Sequence, residues 1–223
     1  MQCSLYLSVP QGDTRSLDDI VDRPDPELTY LHSILVHNIT IVNYHGGNKT
    51  MLVFHVHQVI LSDVKFENNI GQDLMVVIVS EISFSGQCIF KNNIGGIAAY
   101  LHTQLVFTED SNVQILDMHD DYNTPLRVSY SYMEVQRNST IIFKNNSGVL
   151  SGAMAVTGAL CSFADTGITM LFVNNRGISG GALAFYDKGR FQFENSEVQI
   201  TLTTNNYASK WEGQFLSKMW NTW

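Results

Sequence analysis

The sequence predicts an all-β fold: a single right-handed parallel β-helix (β-solenoid) of about six to seven coils. Two observations predict it. Phe-x-Asn-Asn recurs at Phe66–Asn69, Phe90–Asn93, Phe143–Asn146 and Phe172–Asn175, and a glycine-bearing run of small residues follows each anchor, most clearly at Gly152–Val156 and Gly180–Tyr186. The first two anchors lie 24 residues apart and the last two 29. That period fits one three-sided turn of a solenoid and is too short for a propeller blade.

The elements follow in order. Residues 1–36 read as an entry strand, near Ser4–Val9, followed by an acidic, proline-punctuated stretch over Gln11–Pro26 that is off the repeat and predicts a short helix or irregular loop. Residues 37–207 form the repeat domain. Ile41 opens it, 25 residues before Phe66, and the gap of 53 between Phe90 and Phe143 conceals a degenerate coil. Aligning Val113–Asp120 on Gly167–Asn175 sets Asp117 in the Phe position and His119-Asp120 in place of the Asn pair, so the gap divides into 27 and 26. Thr203–Asn206 is the last anchor, 31 residues after Phe172 and without its aromatic. Residues 208–223 are an aromatic tail that reads as a cap over the open end of the stack.

Within each coil, runs of four to six residues alternate with turn residues, as in Ala182–Tyr186, Asp187-Lys188-Gly189, then Arg190–Phe193. Alternation puts Val64 with Phe66, Cys88 with Phe90, and Ile141 with Phe143 on the inner side of their strands. Stacked coils then build a structural ladder of Phe66, Phe90, Phe143 and Phe172 inside, with Asn68, Asn92, Asn145 and Asn174 at a corner. There an amide can donate to one coil and accept from the next while the backbone takes a left-handed turn. Glycine and alanine after each anchor let neighbouring coils approach closely.

A chain of 223 residues, 44% hydrophobic, can bury a continuous core. A formal charge of −8 without a Lys/Arg cluster excludes nucleic acid as a partner on electrostatic grounds. No apolar stretch is long enough to span a membrane, and Met1–Pro10 is too short and polar for a secretory signal. The chain is read as a fragment whose signal and any membrane attachment lie in segments outside it. Cys3, Cys88 and Cys161 lie far apart in unlike places, which argues against a disulfide framework. Glycosylation sequons begin at Asn38, Asn48, Asn138 and Asn145; Asn145 belongs to the corner ladder and is the poorest acceptor.

Phe172–Tyr186 and Phe143–Val156 resemble the repeat of the polymorphic outer membrane proteins of chlamydiae, in which a Phe-x-x-Asn element alternates with Gly-Gly-Ala-(Ile/Leu). They are similar also to repeats of animal surface proteins with right-handed β-helix regions. The resemblance covers roughly Ile41 to Asn206 and implies a secreted or surface-displayed β-helix with adhesive or structural duty and no catalytic residues to carry over.

The favoured function is therefore a noncatalytic extracellular or cell-surface segment contacting other surface proteins or glycans. The alternatives are a polysaccharide-degrading lyase or hydrolase using the acidic coil, and a carbohydrate-binding module using exposed Tyr and Trp. Departures from a repeat are where chemistry can be grafted. Asp117, His119, Asp120 and Asp121 offer an acid, a base or oxygen ligands, against the plainer reading of a solvated acidic corner. His55 and His57 fall on one side of a strand and would grip a metal if a third ligand approached. No phosphate loop, nucleophile elbow or His-Glu-x-x-His motif implies a cofactor or metal.

Overall fold

Short apolar strands joined by tight polar corners wind into a stack. The computed structural model describes residues 5–8, 33–45, 49–54, 56–163, 165–194, 197–203 and 205–209. The expected loop over residues 11–26, most of the aromatic tail, Cys3, Asn48 and His55 lie outside them. Among the described residues every regular element is a strand, and the strands stack as a parallel β-solenoid of about six turns.

Three sheets form its sides. The first runs through Ile34–His37, Gln58–Ser62, Glu81–Ser85, Gln104–Phe107, Tyr132–Val135, Leu160–Phe163 and Arg190–Phe193. The second runs through Thr40–Val42, Lys65–Glu67, Gln87–Lys91, Asn112–Leu116, Thr140–Lys144, Ile168–Val173 and Val198–Leu202. The third holds Leu5–Ser8, Lys49–Phe54, Ile70–Ile78 and Ile94–Tyr100. In later coils each of its strands divides around a turn, as in His119–Asp120 with Leu126–Ser129 and Ser147–Gly148 with Met154–Thr157.

Registers bring like residues together. Ile41, Phe66, Phe90, Ile115, Phe143, Phe172 and Leu202 form one inner row of the second sheet. The Phe66 and Phe90 rings stack with centroids 5.3 Å apart, and Phe143 and Phe172 at 4.9 Å. The register corrects the alignment of the degenerate coil: Ile115, not Asp117, occupies the Phe position, and Asp117-Met118 replace the Asn pair. Cross-coil register and burial decide this, because Ile115 is buried opposite Phe90 and Phe143 while Asp117, although of the same parity, stands exposed at the corner. The last anchor also shifts, since Leu202 pairs with Phe172 and Thr203 lies one place beyond the row. A second aromatic row, unforeseen from the motif, runs through Phe84, Phe107, Phe163 and Phe193 of the first sheet. Phe84 meets Phe90 edge-on at 5.6 Å and so ties the two rows across the core.

The Asn pair divides its labour. The first member carries the left-handed turn, with φ of 56° at Asn68, 53° at Asn92, 52° at Asp117, 56° at Asn145 and 53° at Asn174. These side chains are exposed and form an outer ladder in which Asn145 Nδ2 donates to Asp117 Oδ1 at 3.0 Å and Asn174 Nδ2 to Asn145 Oδ1 at 3.2 Å. The second member is buried. Asn146 Nδ2 donates to Asn175 Oδ1 at 3.0 Å and to Ile115 O at 2.8 Å, and Asn175 repeats the pattern with Asn206 Oδ1 and Phe143 O. Each of these oxygens also accepts a backbone N–H from the coil before. Met118 breaks the column, offering Asn93 Nδ2 only a thioether sulfur at 3.4 Å.

Phe143→Ala should cost on the order of 3 to 5 kcal/mol in denaturant unfolding, the loss expected for a fully buried ring. The two members of an Asn pair should separate in the same assay. Asn175→Ala takes a partner from the Asn146 main-chain N–H, from Phe143 O and from the Asn146 amide, which keeps its bond to Ile115 O, and should cost about 1 to 3 kcal/mol more than Asn174→Ala, whose groups remain in water.

Candidate functional site

Each residue after the second Asn position emerges on the outer face of the third sheet. The registers align His45 with Ile70, then Ile94, His119, Ser147, Arg176 and Tyr207 in one row. The row changes character along the stack. Ile70 and Ile94 are apolar, whereas the next three places carry an imidazole, a hydroxyl and a guanidinium. The neighbouring row, of opposite parity, reads Asp120, Gly148, Gly177 and Ala208. His119, Ser147 and Arg176 of the first row and Asp120, Gly148 and Gly177 of the second, together with Asp121, Val149, Ile178 and Ser209, line an open groove of about 200 Å³.

Three side chains in the groove are joined by hydrogen bonds. His119 Nδ1 meets Ser147 Oγ from the adjacent coil, and His119 Nε2 lies 2.8 Å from Asp121 Oδ1. A carboxylate only accepts, so Nε2 carries the proton that Asp121 binds, and the Nδ1 lone pair of the neutral ring is left to accept from the Ser147 hydroxyl. Arg176, one strand further on, rests its guanidinium over the Tyr207 ring at 5.8 Å. No carboxylate pairs with Arg176 among the described residues.

The acidic residues of this coil have separate fates. Asp117 stands in the outer ladder. Asp120 is not a solvated corner residue, because it is 1% exposed. Its Oδ1 accepts the backbone N–H groups of Tyr122 and Asn123, both at 2.9 Å, which closes the turn that divides the strand. Its Oδ2 is buried without a hydrogen-bond partner. A Cβ at Gly96 would stand 2.6 Å from that oxygen, so glycine there is required by contact with the turn. Burial raises the Asp120 pKa above the ordinary carboxylate range, with the Asp121 charge adding to it. Asp73 is raised likewise, by burial first and then by the charge of Asp120. Beside them Arg127 donates to Asn123 Oδ1 at 2.7 Å and to Ser129 Oγ at 2.9 Å, and lies 5.2 Å from the Tyr100 ring centroid.

The remaining candidates are dispersed. His57 is exposed at the corner between the third and first sheets. No group of three or more His, Cys, Asp or Glu side chains placed to hold a metal occurs among the described residues. Cys88 and Cys161 are free, fully buried thiols whose pKa values burial pushes up, so they serve as core volume. Asn38 is exposed, with φ of 52°, whereas Asn138 donates its amide to Asp110 Oδ1 at 3.0 Å and Asn145 is held in the outer ladder.

Ser147 and Arg176 escaped the sequence reading because the degenerate coil was aligned two residues out of step. With Asp117-Met118 set under the Asn pairs, His119 falls directly above Ser147 and Arg176. The signal was the apolar Ile115, which suits the inward Phe position where the charged Asp117 does not.

Asp120 supplies a pH test. Its folded-state pKa is raised, so its contribution to stability is full below the unfolded value of about 3.9 and is lost as pH rises through the folded pKa. Asp120→Asn keeps the turn-closing oxygen and carries no charge. It should melt above the wild type at pH 7, and the gap should close as pH falls through the raised pKa; a gap constant with pH would contradict a buried charge.

Comparison with protein-family models, with curated proteins and with solved structures finds no match for this chain, so the site is read from its own geometry.

Proposed function

We propose that the chain is a structural or adhesive segment of an extracellular or cell-surface protein, its outer rows offered to other surface proteins or glycans. One observation carries this reading. The recurring residues are consumed in joining coil to coil, through the aromatic rows and the two Asn columns, while the outward rows vary from coil to coil. A repeat used this way yields a long, rigid surface whose chemistry is set by what lies between the anchors.

The sequons add support for a secretory route. Asn38 and Asn138 occupy one corner, in a row with Asp63, Gly86, Asp110 and Gly167 that shares left-handed φ values of 52° to 68°, and both face solvent. A glycan there would project from an edge without displacing a strand. A polysaccharide-cleaving carboxylate pair has less support, since Asp117 is engaged with Asn145, Asp120 is buried and Asp121 is paired with His119. The exposed Tyr122, Tyr130 and Tyr207 lie in a turn, at a corner and on a sheet face.

An antibody raised against the chain should label intact, unpermeabilised source cells or their medium. Signal confined to permeabilised cells would overturn the proposal. When the chain is passed through a eukaryotic secretory pathway, Asn38→Gln should remove one glycan from the intact mass and Asn145→Gln should remove none.

A further inference from the structure

The geometry points to a nucleophilic acyl-transfer site at Ser147–His119–Asp121, acting as an esterase on short-chain carboxylic esters. It goes beyond the structural reading and does not rest on it, because the chemistry is a property of one groove wherever the chain is located.

Three observations converge. Asp121 fixes the His119 ring through Nε2, and the Nδ1 lone pair faces the Ser147 hydroxyl, the order of orienter, base and nucleophile that activates a serine. The two imidazole nitrogens exchange their usual places, which the chemistry permits, because a neutral ring has one donor and one acceptor whichever atom carries the proton. The residues come from two coils and meet only because the strands stack in register, His119 opposite Ser147. Gly148 and Gly177 line the groove beside the serine, and its volume of about 200 Å³ suits an acetyl or similarly small acyl group.

The steps balance without an oxidant or metal. Ser147 Oγ attacks the ester carbonyl carbon while its proton passes to His119 Nδ1. The tetrahedral oxyanion collapses, the C–O bond to the alcohol breaks, and the departing oxygen takes the proton from Nδ1. Water then attacks the acyl-serine, gives a proton to Nδ1, and releases the carboxylic acid as the proton returns to Ser147 Oγ. Arg176 is the cation of the groove without a carboxylate partner among the described residues, and it supplies positive field for the developing oxyanion. Asp121 is a positioning residue that acts through His119.

The test uses the intact chain with two probes, a fluorophosphonate and p-nitrophenyl acetate. Peptide mass mapping of the wild type should find the fluorophosphonate on Ser147, and ester hydrolysis should show a burst of acylation. Ser147→Ala should lose the burst and fall at least about tenfold to the rate of an unassisted imidazole, and His119→Ala should fall further. Asp121→Asn should slow fluorophosphonate labelling of Ser147 while leaving thermal unfolding unchanged, with Asp121→Glu restoring part of the rate. No adduct on Ser147, or Ser147→Ala hydrolysing as fast as the wild type, overturns the proposal. Because the adduct is mapped on the wild type, a variant that fails to fold does not blunt the result.

Discussion

Coils that lie directly on one another, strand over strand, impose the constraint from which the rest follows. Along the three sides the strands bond to the coil above or below, and side chains meet the residue at the same place in the next turn. At a corner the backbone leaves the ladder, and its polar groups need other partners. The buried Asn column meets that need: Asn69, Asn146 and Asn175 each donate to the next amide oxygen and to a main-chain carbonyl of the preceding coil. Its exposed neighbour in each pair takes the left-handed backbone that asparagine tolerates better than most residues. One dipeptide thus performs two tasks that a single residue cannot combine, since the residue that turns outward cannot also fill the interior.

The candidate site arises where that pattern lapses. Met118 interrupts the buried amides, Asp120 turns inward to close a new turn, and the strand that was continuous at Ile94–Tyr100 divides from this coil onward. At this division the inward row reads Asp120, Gly148, Gly177 and Ala208, and the outward row beside it turns polar at His119, Ser147 and Arg176. Stacking then does for unlike residues what it does for phenylalanines. It sets His119 against Ser147 and Ser147 against Arg176 at strand spacing, although 28 residues separate the first pair.

Much of the fold was legible, because a solenoid writes its geometry as a period. The Phe anchors, their inward neighbours Val64, Cys88 and Ile141, and the corner at Asp187–Gly189 were each read from alternation and turn chemistry. The aromatic row of Phe84, Phe107, Phe163 and Phe193 was not, since its members lack a fixed companion such as the Asn pair and sit in strands with different flanking turns. The site was half legible: His119, Asp120 and Asp121 stood out by composition, but their partners did not. An error of two residues preserves the inward and outward faces of a strand, so alternation within the coil gave no warning. It moved every cross-coil neighbour.

Period, alternation and corner chemistry are local properties of the chain, and they determined a parallel solenoid, its inner Phe row and the corner role of asparagine. Only the tertiary structure decided which residue of one coil faces which of the next, and therefore that Asp120 is buried while Asp121 holds His119 against Ser147. The reason is physical: register between coils is set by the sum of many backbone and core contacts along the strands, and no single residue of a degenerate coil carries that sum.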